Sequence, residues 1–204
     1  MVRLCDALGI DKPFVFGNSF GGLVAQRYLG RHPDHPYKVV LSSTVPKVDM
    51  QAVFTMFERL GGEAARAAPV AFWTGPTGPA HKAYLRICGP LSTQAPGNMF
   101  EAVETIRNNE PFAHWNAAEN HTFDPRPDLA RAQCPVLVLG GEMDHVCPIA
   151  GAEEIAACLP SNLVQFERFA NSGQGSFATN PTVPCAHCAN SLGPTDAATD
   201  NSAD

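Results

Sequence analysis

A chain of 204 residues with only 14 lysines and arginines against 20 aspartates and glutamates has no surplus of positive charge to offer a phosphate backbone. The formal charge of −6 argues against nucleic acid as a partner. Long apolar runs are missing as well: no stretch approaches the roughly 18 residues of a membrane span, so no membrane partner is expected. The opening residues, Met1-Val2-Arg3-Leu4-Cys5-Asp6, lack the apolar segment of a secretory leader, which predicts a cytoplasmic location. No internal repeat is evident. With 45% hydrophobic and 17% charged residues, the chain has the composition and length of one globular domain with a real core.

A second metal-binding pair is also missing. The seven cysteines are Cys5, Cys88, Cys134, Cys147, Cys158, Cys185 and Cys188, an odd count whose members mostly adjoin apolar residues. That pattern favours reduced, partly buried thiols. Cys185-Ala186-His187-Cys188 has the C-x-x-C spacing of a metal or redox site. A tetrahedral zinc site needs a fourth ligand, and no other C-x-x-C or H-x-x-x-H supplies one. Incidental thiols are the preferred reading, and no metal or cofactor is expected.

What is present is an alternation of strands and helices. Residues 1–10 place apolar positions at helical spacing and end on Gly9. Strands are predicted at 13–17, 38–42, 134–140 and 163–167, with helices at 20–31 and 149–158. Most of these strands are continuously apolar, which implies a parallel sheet covered on both faces, an α/β fold. From about residue 48 to 127 the pattern is helical and irregular, with breaks at Gly61-Gly62, at Gly75-Pro76-Thr77-Gly78-Pro79 and at Gly89-Pro90. Residues 181–204 are polar, with almost no large apolar side chains, and are expected to be a disordered tail.

Two loops carry chemistry. Gly17-Asn18-Ser19-Phe20-Gly21-Gly22 lies between the first strand and its helix. A strand, sharp turn and helix of this kind hold a serine hydroxyl out as a nucleophile, and glycines at 17 and 21 avoid collisions across the turn. The helix N-terminus behind Ser19, beginning with the Phe20 N–H, offers donors to a developing oxyanion. The second loop, Gly140-Gly141-Glu142-Met143-Asp144-His145, follows the strand at 134–140. Asp144 alone reads more readily as a cap or turn former. At the carboxyl end of a parallel strand, with a serine elbow roughly 120 residues earlier, it reads as a catalytic acid.

These two motifs, with Leu8-Gly9-Ile10-Asp11-Lys12-Pro13 before the elbow, Arg126-Pro127-Asp128-Leu129 before the third strand and Phe166-Glu167-Arg168-Phe169 near the end, resemble the α/β-hydrolase superfamily. The nearest branch is the proline iminopeptidase-like hydrolases, and the resemblance covers about residues 1–180. It implies a hydrolase core from 1–47 and 128–180, a helical cap at 48–127 and a small ester, amide or lactone substrate attacked by Ser19. Phe54, Phe57, Phe72, Trp73, Phe112 and Trp115 would then form cap core or line the pocket, with core preferred.

Two departures from that pattern stand out. Where the family places its histidine in a Gly-His-Gly-like turn, this chain reads Asn171-Ser172-Gly173-Gln174-Gly175. Gln174 can hydrogen-bond both Ser19 and Asp144, but an amide takes no proton at neutral pH. His145 adjoins Asp144, His114 and His121 fall in the cap, and none replaces it convincingly. The strands would correspond to the family's fifth to eighth, so the chain resembles a truncated, partial hydrolase fold. The strand at 13–17 then becomes an exposed edge open to self-association. A catalytically inactive, ligand-binding descendant is the alternative reading.

Overall fold

Four strands and the helices between them follow from hydrophobic runs that fit nowhere but a sheet interior. The computed structural model describes residues 1–75, 77–92, 108, 110–120 and 122–174. In chain order these form α1 (Val2–Leu8), β1 (Phe14–Asn18), α2 (Phe20–Arg31), β2 (Lys38–Ser42), α3 (Met50–Thr74), α4 (Gly78–Ser92), α5 (Glu110–His114), a π-helical turn (Trp115–Glu119), α6 (Arg126–Leu129), β3 (Val136–Gly141), α7 (Ile149–Cys158) and β4 (Val164–Phe169). Gly9 ends α1 in the left-handed conformation, φ 68°, with its N–H turned back to the Asp6 carbonyl.

The strands lie in sequence order, β1-β2-β3-β4, and every neighbouring pair is parallel. All four therefore end at the same edge, where the loops after β1 and β3 carry Ser19 and Asp144. One face of the sheet, with Val15, Val39, Leu41, Val136 and Val138, buries itself against Leu29 of α2, Leu129 of α6 and Ile155 of α7. On the other face Val40, Leu137 and Leu139 make a smaller cluster with Phe169. β1 is an edge strand, as expected. Val15 is buried, whereas Phe14 and Phe16 are 54% and 52% exposed.

The connection from β2 to β3 is long and helical. α3 and α4 pack against each other around Val53, Phe57, Ala65, Ala68 and Cys88. α3 kinks at Gly62, whose φ of 74° is open to glycine, so the break expected at Gly61-Gly62 is a bend. Pro69 sits inside the same helix and has no N–H for the Ala65 carbonyl. The Cys88 thiol of α4 donates to that carbonyl instead, at 3.5 Å, and ties the two helices together.

The break expected at Gly89-Pro90 does not occur, and α4 runs through it to Ser92. Pro90 lies in the last turn, where its missing N–H costs one intrahelical bond, and the Ser92 hydroxyl donates to the Cys88 carbonyl at 2.9 Å. The five described cysteines are unpaired; Cys5, Cys88, Cys134 and Cys147 are buried. Cys185, Cys188 and the tail from 181 onward lie outside the described residues.

Candidate active site

β1 ends at Asn18 and α2 begins at Phe20, which leaves Ser19 alone in the turn. Its backbone lies at φ 52°, ψ −118°, a conformation that costs a side-chain-bearing residue of order 1–3 kcal/mol. Two hydrogen bonds hold it: Ser19 N–H to the Ser42 carbonyl at 3.0 Å, and Gly22 N–H to the Ser19 carbonyl at 2.9 Å. A Cβ at position 17 would stand 2.6 Å from the Gly21 carbonyl oxygen and 2.8 Å from the Ala25 methyl. Gly17 is therefore obligatory. Gly21 is not: a Cβ there meets nothing within 4 Å. The tight position is Gly22, where a Cβ would lie 2.4 Å from Thr44, because that side of α2 presses on the loop after β2.

Asp144 stands three residues beyond β3 and is 3% exposed. Its Oδ1 accepts the backbone N–H groups of Val146 at 3.0 Å and Cys147 at 2.8 Å. Among the described residues, the buried Oδ2 has no hydrogen-bond partner. Burial pushes the carboxyl up to about 6, while the Cys147 and Val146 N–H groups and the Ser43 hydroxyl favour the charged form. Asp144 is thus a turn former through one oxygen and an unsatisfied acceptor through the other.

Gln174 reaches the same place from the far end of the chain. Its Nε2 donates to Ser19 Oγ at 3.2 Å. The loop that carries it is laid against β3, since a Cβ on Gly141 would fall 2.3 Å from the Ser172 carbonyl oxygen, and Met143 N–H donates to that carbonyl at 3.0 Å. The Gln174 N–H donates to the Ser92 carbonyl at the end of α4, at 3.0 Å. The expected bridge from Gln174 to Asp144 is not closed at Oδ2, while the amide Nε2 donates to Ser19.

Three neighbours escaped the sequence reading. Cys147 is fully enclosed, its thiol hydrogen-bonds Ser19, and burial pushes its pKa well above the ordinary thiol range. Its spacing three residues after Asp144 was the available signal. Ser43, with φ 45°, and the buried Gln26, which donates to the Val45 carbonyl at 3.1 Å, have no motif to announce them. Among the described histidines none hydrogen-bonds Ser19 or Asp144. His114 is exposed and faces Glu119, and His145 is half-buried, its pKa lowered by burial. His121 lies outside the described residues.

Ser19 opens on a cavity of about 70 Å³ whose walls are mostly apolar, including Leu23, Val45, Val53 and Val146. Trp73 and Trp115 also line it, whereas Phe54 and Phe57 are buried at 5% and 0% exposure. Of these aromatics, Phe54 and Phe57 are core and Trp73 and Trp115 line the pocket, and the Phe112 side chain lies outside the described residues. Residues 1–181 match the sequence model of the alpha/beta hydrolase fold. The chain belongs to that family.

Solved α/β hydrolases superpose on it over most of its length. Proline iminopeptidase from Mycobacterium smegmatis has a TM-score of 0.68 at 19% identity, with 93% of this chain and 67% of that one covered. The enol-lactonase from Burkholderia xenovorans LB400 gives 0.62 at 20%, covering 94% and 69%. An esterase from Exiguobacterium antarcticum gives 0.61 at 18%, covering 94% and 70%. At these identities the likeness is one of fold. No curated protein matches the sequence. Other α/β hydrolases of known structure thus span ester, lactone and peptide chemistry on the same frame. Among the described residues of this member, no helix is long and apolar enough to cross a membrane.

Proposed function

We propose that the Ser19 cavity is the acyl site of a serine hydrolase for a small ester, amide or lactone, and that turnover is held back by Gln174. The observation that carries this reading is the 3.2 Å contact between Gln174 Nε2 and Ser19 Oγ, beside a buried Asp144 with one oxygen unsatisfied. Ser19 Oγ attacks the carbonyl, with the Phe20 N–H at the helix N-terminus helping to hold the oxyanion. Asp144 is placed to orient a base. Either orientation of the Gln174 amide holds the hydroxyl without accepting its proton, so attack proceeds without general-base help. The segment at 48–127 acts as the cap, lending Trp73 and Trp115 to the cavity wall.

Gln174→His tests this directly. It is expected to raise p-nitrophenyl acetate hydrolysis by about ten-fold or more, since a positioned base contributes roughly 10²–10⁴ in rate. An unchanged rate in a folded variant removes Gln174 as the limiting element. A fluorophosphonate probe is expected to label Ser19 in both forms, and Ser19→Ala in neither. Failure to label the Gln174→His variant favours the second reading, a ligand-binding descendant, to which the same neutral amide on Ser19 equally points. The exposed edge of β1, with Phe14 and Phe16 outward, supports self-association by strand pairing. Phe16→Lys is then expected to shift light scattering toward the monomer.

A further inference from the structure

The cavity at Ser19, about 70 Å³, has room for only a few heavy atoms, given that a water in the liquid occupies about 30 Å³. A second hollow of about 440 Å³ adjoins it, between α2 and the stretch from Pro111 to Phe123. Phe20, Leu23 and Trp115 line both. The Phe20 and Trp115 rings meet edge to face at this shared wall, centroids 5.1 Å apart.

The α2 side of the hollow is one helical stripe: Phe20, Leu23, Val24, Arg27, Tyr28 and Arg31. Positions three and four apart stack along a helix, so the hollow runs its length as a groove. The stripe is graded. Next to Ser19 it is apolar, and Val24 is 47% exposed there. Toward the end it is cationic. Arg27 is engaged by the Asp128 carboxylate and lies over the Phe123 ring. Arg31 is exposed and makes no ion pair among the described residues. Among the described residues lining the groove, the one carboxylate, Glu119, faces His114 Nε2 at 3.9 Å. In a chain of net charge −6 this is a local reversal of sign.

We infer that the groove takes the distal part of an elongated amphiphilic anion, its aliphatic stem along Leu23 and Val24 and its carboxylate at Arg31. Twelve residues of α2 at the helical rise of about 1.5 Å per residue set the reach from Ser19 to Arg31 at roughly 18 Å. The inference rests on the Ser19 cavity being the acyl site only for the direction in which the ligand lies. Binding to the groove itself is measured without turnover.

Dodecanoate below its micellar concentration is the probe. The only two tryptophans, Trp73 and Trp115, both line the Ser19 cavity and report occupancy by fluorescence. Dodecanoate is expected to shift their emission saturably, and dodecyltrimethylammonium to bind roughly ten-fold more weakly. Arg31→Glu is expected to weaken dodecanoate by roughly ten-fold and to erase the preference for the anion, with Arg31→Lys retaining it. Val24→Asp is expected to abolish binding. Leu8→Asp, on the exposed face of α1, is expected to change nothing. Equal binding of anion and cation, or a Leu8→Asp loss as large as that of Arg31→Glu, overturns the proposal. Fluorophosphonate labelling of Ser19 without dodecanoate binding removes the groove and leaves the acyl site. Dodecanoate binding without labelling does the reverse.

Discussion

Two turns face each other across the carboxyl edge of one sheet, and they carry their cost differently. At Ser19 the backbone is bent to φ 52° while its own N–H and carbonyl are hydrogen-bonded and Gly17 and Gly22 are packed to contact. At Asp144 the turn is held by two good N–H bonds to Oδ1, and the cost lies in Oδ2, a buried acceptor with no donor. The first expense is steric and survives any change at position 174. The second is electrostatic and lies in a single buried oxygen of Asp144. The turn at Ser19 can thus keep its shape while one oxygen of Asp144 lacks a donor among the described residues.

The largest expected effect is on the steric side. Gly17→Val should destabilise the fold by about 3 kcal/mol in urea unfolding, because its Cβ meets the Gly21 carbonyl, which cannot turn away. Gly21→Ala should cost much less, and an equal loss at both positions would break the distinction between them.

Next comes Asp144→Asn. The Asp144 carboxyl holds its proton to about pH 6 in the folded chain against an ordinary 3.8. Between those values the folded state binds the proton more tightly, so stability falls as pH rises through the window and stays lower above it. Asparagine keeps the Oδ1 contacts and carries no charge. It should raise unfolding free energy at pH 7.5 by on the order of 2 kcal/mol and leave it unchanged at pH 3.5. A loss at pH 7.5 would mean that Oδ2 is satisfied in solution, and the contrast between the two turns would disappear.

The smallest effect is at Ser19 itself. Ser19→Gly releases the φ strain and Ser19→Ala retains it, so the glycine variant should be the more stable by about 1 kcal/mol in thermal unfolding, net of glycine's greater entropy when unfolded. Equal stability would show that the turn is unstrained.

Much of this was legible beforehand because the sheet is parallel. Strands such as Val136–Gly141 are apolar throughout, and helices such as α2 follow at once, so hydrophobic runs and their punctuation place every described strand within a residue or two. The loops of Ser19 and Asp144 stand out in the sequence because each follows an apolar strand. Local signals failed at Gly89-Pro90, which reads as a break, yet α4 continues through it. Gly21 was taken as the second obligatory glycine, but the neighbour that decides is Thr44, more than 20 residues on. The roles of Cys147 and Ser43 depend on which side chains converge, and a one-dimensional pattern of residue types carries no record of that.

The Gln174 contacts give the molecule a mechanical property. The backbone of this residue hangs from Ser92 at the tip of α4, and its side chain grips Ser19 at the root of α2. One residue is thus a tie rod between the end of α4 and the hydroxyl in the serine turn. If α4 swings outward, the rod is pulled and Ser19 Oγ is released in the same movement.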